Sequence, residues 1–183
     1  MTNKLSIAKV GNIFIELFKY DIFIETGTFL GNTTLEMSPY FKEVHTIELS
    51  EKYFSLFLDK IKKMEISNIN CHFGDSSKII PTILKKINKN KKCIFWLDGH
   101  WSSGDSAKGN KDCPLIDECL GINEFYSANE AIILIDDFRL FGVKGDQDWT
   151  DITLDSIKKC FTKFKIKNEI IFDDCLMLRI KKI

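Results

Sequence analysis

Five short apolar runs, each ending at a small or acidic residue and most followed by a helical stretch, constrain this chain more than any other feature. They lie at residues 21–27 (DIFIETG), 44–49 (VHTIEL), Ile69–Phe73, Cys93–Leu97 (CIFWL) and 131–135 (AIILI). A strand that is apolar on both sides must be covered on both sides, which is the position of a parallel strand between two helix layers. The intervening stretches carry apolar residues at helical spacing, as in Phe54, Phe57, Leu58 and Ile61. Helices are expected over 4–20, 33–41, 50 to about 61, 76–87, 114–126 and 151–164. Ser50 and Ser76 are candidate N-caps, and Pro114 stands at a permitted N-terminal position. Two last strands, 166–172 and 176–180, flank Asp173-Asp174-Cys175 and suggest a hairpin. The expected fold is α/β: a doubly wound, Rossmann-like, seven-stranded sheet, mostly parallel with an antiparallel C-terminal strand.

The chain has 183 residues, enough for one domain, 1–183, with a full core. No repeat or Pro/Gly-rich linker divides it. Lys plus Arg and Asp plus Glu both number 26, so the net charge is zero. Nucleic-acid binders usually carry a basic excess. Arg139 and Arg179 are the only arginines, so bidentate phosphate clamps are scarce. The apolar runs are too short to span a bilayer, and the N-terminus lacks a signal-peptide h-region. Six cysteines without a CxxC pair argue against a structural zinc site and for a reduced, cytoplasmic chain. No nucleic acid and no membrane are therefore expected as partners; a homo-oligomer stays open.

In open α/β sheets, ligands bind at the carboxyl ends of the strands, and the unusual residues sit there. After the first strand comes Glu25-Thr26-Gly27-Thr28-Phe29-Leu30-Gly31-Asn32-Thr33. Its two glycines permit a tight turn and close approach of a ligand to backbone, or a plain strand-to-helix turn. Phe29 stands where a dinucleotide fingerprint has its second glycine. Glu48 ends the second strand 23 residues after Glu25, a placement suited to both hydroxyls of a ribose. After the third strand, Asp75 can accept from an adenine amino group, or Ser76 can simply cap a helix. Asp98 and His100 end the fourth strand, and Asp136 and Asp137 the fifth. On neighbouring strands about 4.8 Å apart, these carboxylates converge and repel. A hard divalent cation, Mg²⁺ or Mn²⁺, relieves that. Asp136 and Asp137 share it only if the chain turns between them. His45 and His72, inside strands, read as structural.

Together these residues resemble the class I S-adenosylmethionine-dependent methyltransferases over nearly the whole chain. Glu25 to Gly31 looks like that family's ExGxxxG motif, Glu48 like its ribose acid and Asp75 like its adenine-side acid. The pair Leu97-Asp98-Gly99-His100 and Ile135-Asp136-Asp137 is similar to the Mg²⁺-dependent sugar O-methyltransferases of the macrocin group. That resemblance implies S-adenosylmethionine bound by Glu25, Thr26, Gly27, Thr28, Gly31, Asn32, Thr33, Glu48, Asp75, Ser76 and Asp98. It implies a metal on Asp98, Asp136 and Asp137, and Asp98 or His100 as base. The acceptor is then a small molecule, a sugar or other polyhydroxylated compound. Alternatives are a catechol-like diol, or a cofactor-binding domain without catalysis. This chain is shorter than those enzymes, and its His lies only two residues after Asp98.

Overall fold

A computed structural model describes residues 19–101, 107–109 and 111–183. The helix expected over 4–20 lies almost wholly outside them, as does part of the polar loop after Trp101. The element order is β1 (Ile22–Thr26), α1 (Asn32–Met37), β2 (Glu43–Glu48), α2 (Glu51–Lys63), β3 (Ile69–Phe73), α3 (Ser76–Lys86), β4 (Cys93–Leu97), α4 (Leu115–Phe125), β5 (Glu130–Ile135), α5 (Leu154–Cys160), β6 (Phe164–Phe172) and β7 (Cys175–Lys182).

All seven strands join one sheet in the order β3-β2-β1-β4-β5-β7-β6. β1 to β5 are parallel, and β7 enters antiparallel between β5 and β6. This is the expected architecture. Alternation along each strand sends side chains to opposite faces, and each face has its own core. Ile22, Ile24, Phe95 and Ile133 pack with Ile83 of α3, Ile122 of α4 and Ile157 of α5. Phe23, Ile94, Trp96 and Leu134 pack with Met37 of α1 and Phe57 of α2. The side chains of β1, β4 and most of β5 are almost fully shielded from water. Each such Ile, Leu or Phe contributes about 1.5–3 kcal/mol by leaving water, which is why the central strands could be read from composition alone.

Several boundaries differ from the expectation. α1 stops at Met37 and passes into a 3₁₀ turn at Ser38–Tyr40, where Pro39 has no N–H to continue an α-helix. α5 covers only seven residues, begun by a capping box between Thr153 and Ser156. β6 and β7 run longer than their apolar cores. They meet at Asp173 (φ 43°) and Asp174 (φ 65°), a two-residue turn whose left-handed conformations suit the twist of a hairpin. Ser50 is at the N-cap of α2 but makes no side-chain cap, and Asp75, not Ser76, caps α3. The six cysteines are free thiols, five of them buried. Burial pushes Cys93 up to about 12 and Cys71 up to about 11, so neither is a ready nucleophile. Among the described residues no helix is long and apolar enough to cross a membrane.

Candidate functional site

The carboxyl ends of β1 to β5 open into a cavity of about 730 Å³. Its walls include Glu25, Gly27, Thr28, Asn32, Thr33, Glu48, Asp75, Ser76, Asp98, His100, Asp136 and Asp137. Most residues expected at the site thus reach one space. The two exceptions are Thr26 and Gly31, which serve it from behind.

The turn after β1 is shaped by backbone and packing. Gly27 has φ +81°, and a Cβ there would lie 2.2 Å from the carbonyl oxygen of Asp98. Gly31 has φ +71°, and its Cβ would lie 1.9 Å from the edge of the Phe57 ring. These glycines are required first by the protein's own chain. The N–H of Gly27 donates to Ile47 O at 3.0 Å, which ties the turn to β2. Glu25 is 1% exposed. It accepts hydrogen bonds from Thr46 at 2.7 Å and from Thr34. Burial pushes its carboxyl up to about 7 against those two hydrogen bonds, with the Glu48 charge adding to the rise. Glu25 therefore fastens α1 to β2 at the cavity wall. Thr26 is fully buried, and its Oγ1 accepts the N–H of Asp98 at 3.1 Å.

Glu48 is held firmly. Its two carboxylate oxygens accept the N–H groups of Phe29 and Ser50, both at 2.7 Å. Phe29 reaches its place in a left-handed conformation, φ 48°, and remains 42% exposed at the rim. Asp75 accepts from the N–H and the hydroxyl of Ser77, at 3.0 and 2.6 Å. Burial acts to raise its pKa, but those bonds and Lys78 outweigh it, so the group lies below the ordinary carboxylate range.

At the other end of the cavity, β4 and β5 bring four side chains near one another. Asp137 sits in the left-handed region (φ 58°, ψ 41°), so the chain does turn after Asp136. The turn does not make the expected triad. The donor atoms lying within 4.8 Å of one another belong to Asp98, His100 and Asp137. Asp136, 3% exposed, lines the cavity outside that group. His100 Nε2 is 2.6 Å from Asp137 Oδ2 and 3.6 Å from Asp98 Oδ1. Its Nδ1 faces Gln147 Oε1 at 3.0 Å and Trp101 O at 3.3 Å, and its ring packs edge-on to Trp149. Burial works against the imidazolium, but acceptors at both nitrogens outweigh it and raise the pKa above the ordinary histidine value. Asp137 is shifted the opposite way. Burial would raise it, and His100 and Arg139 together hold it low. Its Oδ1 pairs with Arg139, which also pairs with Asp174 in the β6–β7 turn. For Asp137 the expected repulsion is therefore answered by His100 and Arg139.

Gln147 and Trp149 carried no motif signal, since the His100 ring they meet is distant in sequence. Arg139, which the sequence places beside the site, pairs with Asp137 two residues before it. Glu118, whose carboxyl is buried beside Gly99, had such a signal. It lies on the buried face of α4 with Leu115 three residues before and Ile122 four after.

No protein-family model and no curated protein matches the chain. Solved structures do. One from Clostridium thermocellum, described as an rRNA-methylase, is 16% identical over 96% of this chain and 97% of its own, with a TM-score of 0.66. An S-adenosylmethionine-dependent methyltransferase from Clostridium acetobutylicum is 13% identical over 97% and 92%, with a TM-score of 0.60. A structure from Klebsiella pneumoniae described as an O-methyltransferase is 11% identical over 100% and 84%, with a TM-score of 0.66. A Streptococcus mutans structure described as a methyltransferase, in complex with S-adenosylhomocysteine, is 18% identical over 89% of each chain, with a TM-score of 0.55. The sheet order, the antiparallel seventh strand and these likenesses together give the chain the Rossmann-like fold of the class I methyltransferases.

Proposed function

We propose that this protein is an S-adenosylmethionine-dependent methyltransferase acting on a hydroxyl of a small polyhydroxylated acceptor, a sugar in the first instance. The observation that carries the reading is the Asp98–His100–Asp137 group in a cavity that Gly27, Glu48 and Asp75 also line. The cavity volume suits a nucleoside cofactor together with part of an acceptor. The residues also fit the cofactor in kind. Gly27, Thr28, Asn32 and Thr33 would meet its amino-acid end, Glu48 its ribose hydroxyls and Asp75 its adenine amino group. When bound, S-adenosylmethionine supplies an electrophilic methyl group on a positively charged sulfur.

The chain's own task is to position the acceptor and take its proton. Asp98 lines the cavity with its side chain 28% exposed, so one of its oxygens is the first proton acceptor. His100 Nε2 stands 3.6 Å behind Asp98 Oδ1, and Asp137 holds the imidazole in place and favours its charged form. Arg139 offsets the remaining charge of Asp137. A small acceptor is favoured over RNA because both arginines are engaged within the protein, Arg139 with Asp137 and Asp174, and Arg179 with Glu130.

A second reading is favoured by the same cluster. Two carboxylates and an imidazole within 4.8 Å fit a divalent cation, and the nitrogen donor suits Mn²⁺ better than Mg²⁺. Asp98, His100 and Asp137 would hold it, and it would lower the pKa of the acceptor hydroxyl. Asp137 would first have to release His100 or Arg139.

The test is methyl transfer to a panel of sugars and vicinal diols, with EDTA and with added Mg²⁺ or Mn²⁺. Transfer that persists in EDTA is expected. Loss in EDTA restored by Mn²⁺ would establish the metal reading instead. Turnover confined to catechols would move the acceptor class. Binding of S-adenosylhomocysteine without turnover on any acceptor would leave a cofactor-binding protein without catalysis.

A further inference from the structure

One amide in the loop between β5 and α5 meets two donors at once. Gln147 lines the cavity, and its Oε1 is 2.8 Å from Trp149 Nε1 and 3.0 Å from His100 Nδ1. An indole N–H can only donate, so the atom facing it must be the amide oxygen and not the NH₂ group. The orientation of the Gln147 amide is thereby fixed, and His100 Nδ1 meets an acceptor. Trp101 O, 3.3 Å from the same nitrogen, is a second acceptor. Nδ1 therefore carries a proton. Nε2 is left to face Asp137 Oδ2 at 2.6 Å and Asp98 Oδ1 at 3.6 Å. Turning the ring over about its Cβ–Cγ bond would put a carbon in place of each nitrogen and lose these contacts.

The amide is not needed to hold its own loop. Trp149 is 2% exposed. Its N–H donates to Val143 O at 3.0 Å, and its carbonyl oxygen accepts the N–H groups of Gly142 and Ile152 at 3.2 and 2.9 Å. The loop is thus anchored by backbone and core, and the buried indole supplies a rigid donor. Its ring also packs edge-on to His100 at 5.1 Å.

We infer that Gln147 is a positioning residue for His100: held by the Trp149 indole, its amide oxygen keeps Nδ1 protonated and turns Nε2 toward Asp98 and Asp137. This inference rests on the methyltransferase reading above. Without an oxygen at position 147, Nδ1 keeps only the longer contact to Trp101 O, and the ring loses one of its two fixed ends.

The test compares Gln147→Met and Gln147→Glu with the wild type. Met has a similar length and no oxygen, whereas Glu keeps an oxygen for both donors. The readouts are steady-state kinetics, S-adenosylhomocysteine calorimetry and imidazole ¹⁵N spectra of His100. Met should lower kcat about 10-fold or more, since a small misplacement of a reacting group is costly. It should leave S-adenosylhomocysteine affinity within about 2-fold, and Glu should restore kcat to within about 3-fold of the wild type. The Nδ1 proton should exchange slowly in the wild type and the Glu variant, and faster in the Met variant. Wild-type kcat in the Met variant, equal losses in Met and Glu, or a loss of affinity matching the loss of kcat overturns the inference. Wild-type protein that transfers no methyl group to any acceptor overturns the methyltransferase reading instead. The role of Gln147 is then judged by the spectra alone: an unprotonated Nδ1 in the wild type, or unchanged exchange in the Met variant, overturns it.

Discussion

His100 and Asp137 end up 2.6 Å apart although 37 residues separate them, because β4 and β5 are parallel neighbours and both chains turn as they leave the sheet. Asp137 reaches His100 only through its left-handed backbone, and the same residue is clamped from the other side by Arg139. Asp137→Asn keeps the shape and removes the charge that holds the imidazolium. On the proposed mechanism kcat should fall about 100-fold. Affinity for S-adenosylhomocysteine should stay within about 2-fold of the wild type, since Asp137 lies away from Glu48 and Asp75. Steady-state kinetics beside calorimetry separates the two effects, and equal losses in both would refute the assignment.

Gly27 is predicted to tolerate no side chain. Alanine there would meet the Asp98 carbonyl at 2.2 Å and would have to adopt φ +81°. The left-handed backbone alone costs about 1–2 kcal/mol, and relieving the overlap adds about 1–3 kcal/mol more. Urea unfolding of Gly27→Ala should show a loss of about 2–5 kcal/mol, the sum of those two costs. An unchanged midpoint would mean that the β1 and β4 turns are not packed as described.

Glu48 should matter for binding more than for folding. Both its oxygens accept backbone N–H groups, from Phe29 and Ser50, which fixes the carboxylate at the end of β2. Glu48→Gln leaves one oxygen and puts an NH₂ group against one of those two donors. S-adenosylhomocysteine should bind about 10-fold more weakly, the equivalent of one charge-assisted hydrogen bond. Calorimetry at fixed pH measures this directly, and wild-type affinity in the variant would remove Glu48 from the site.

Glu25 gives a dependence on pH. Its carboxyl is raised from 4.5 to about 7 by burial. Below pH 4.5 it is protonated in both folded and unfolded chains and carries no penalty. As the pH rises from there towards 7, the unfolded chain ionises first, so the folded state loses stability; above 7 the loss is complete. The shift corresponds to about 3 kcal/mol. Glu118 has a similar shift and adds a second contribution of the same sign. Chemical denaturation across this range should show Glu25→Gln falling less steeply than the wild type by about 3 kcal/mol. Parallel curves would show that Glu25 ionises normally in the folded protein.

The sequence by itself determined the sheet and the end of it that carries chemistry. Runs such as Cys93–Leu97 can satisfy their apolar side chains only between two helix layers, and that burial is local in sequence and large in energy. It also put Glu48, Asp75 and Asp98 at the carboxyl edge, because a residue that ends a parallel strand must emerge there. Only the tertiary structure decided which side chains pair there. Asp136 and Asp137 are adjacent in sequence and part company at a left-handed residue. Arg139 meets Asp174 across 35 positions, and Gln147 meets His100 across 47. Such contacts depend on rotamers and on turns a few ångströms wide. Apolar periodicity sets where a strand runs, while the direction of a carboxylate at its end is set by whatever partners the fold happens to bring within reach.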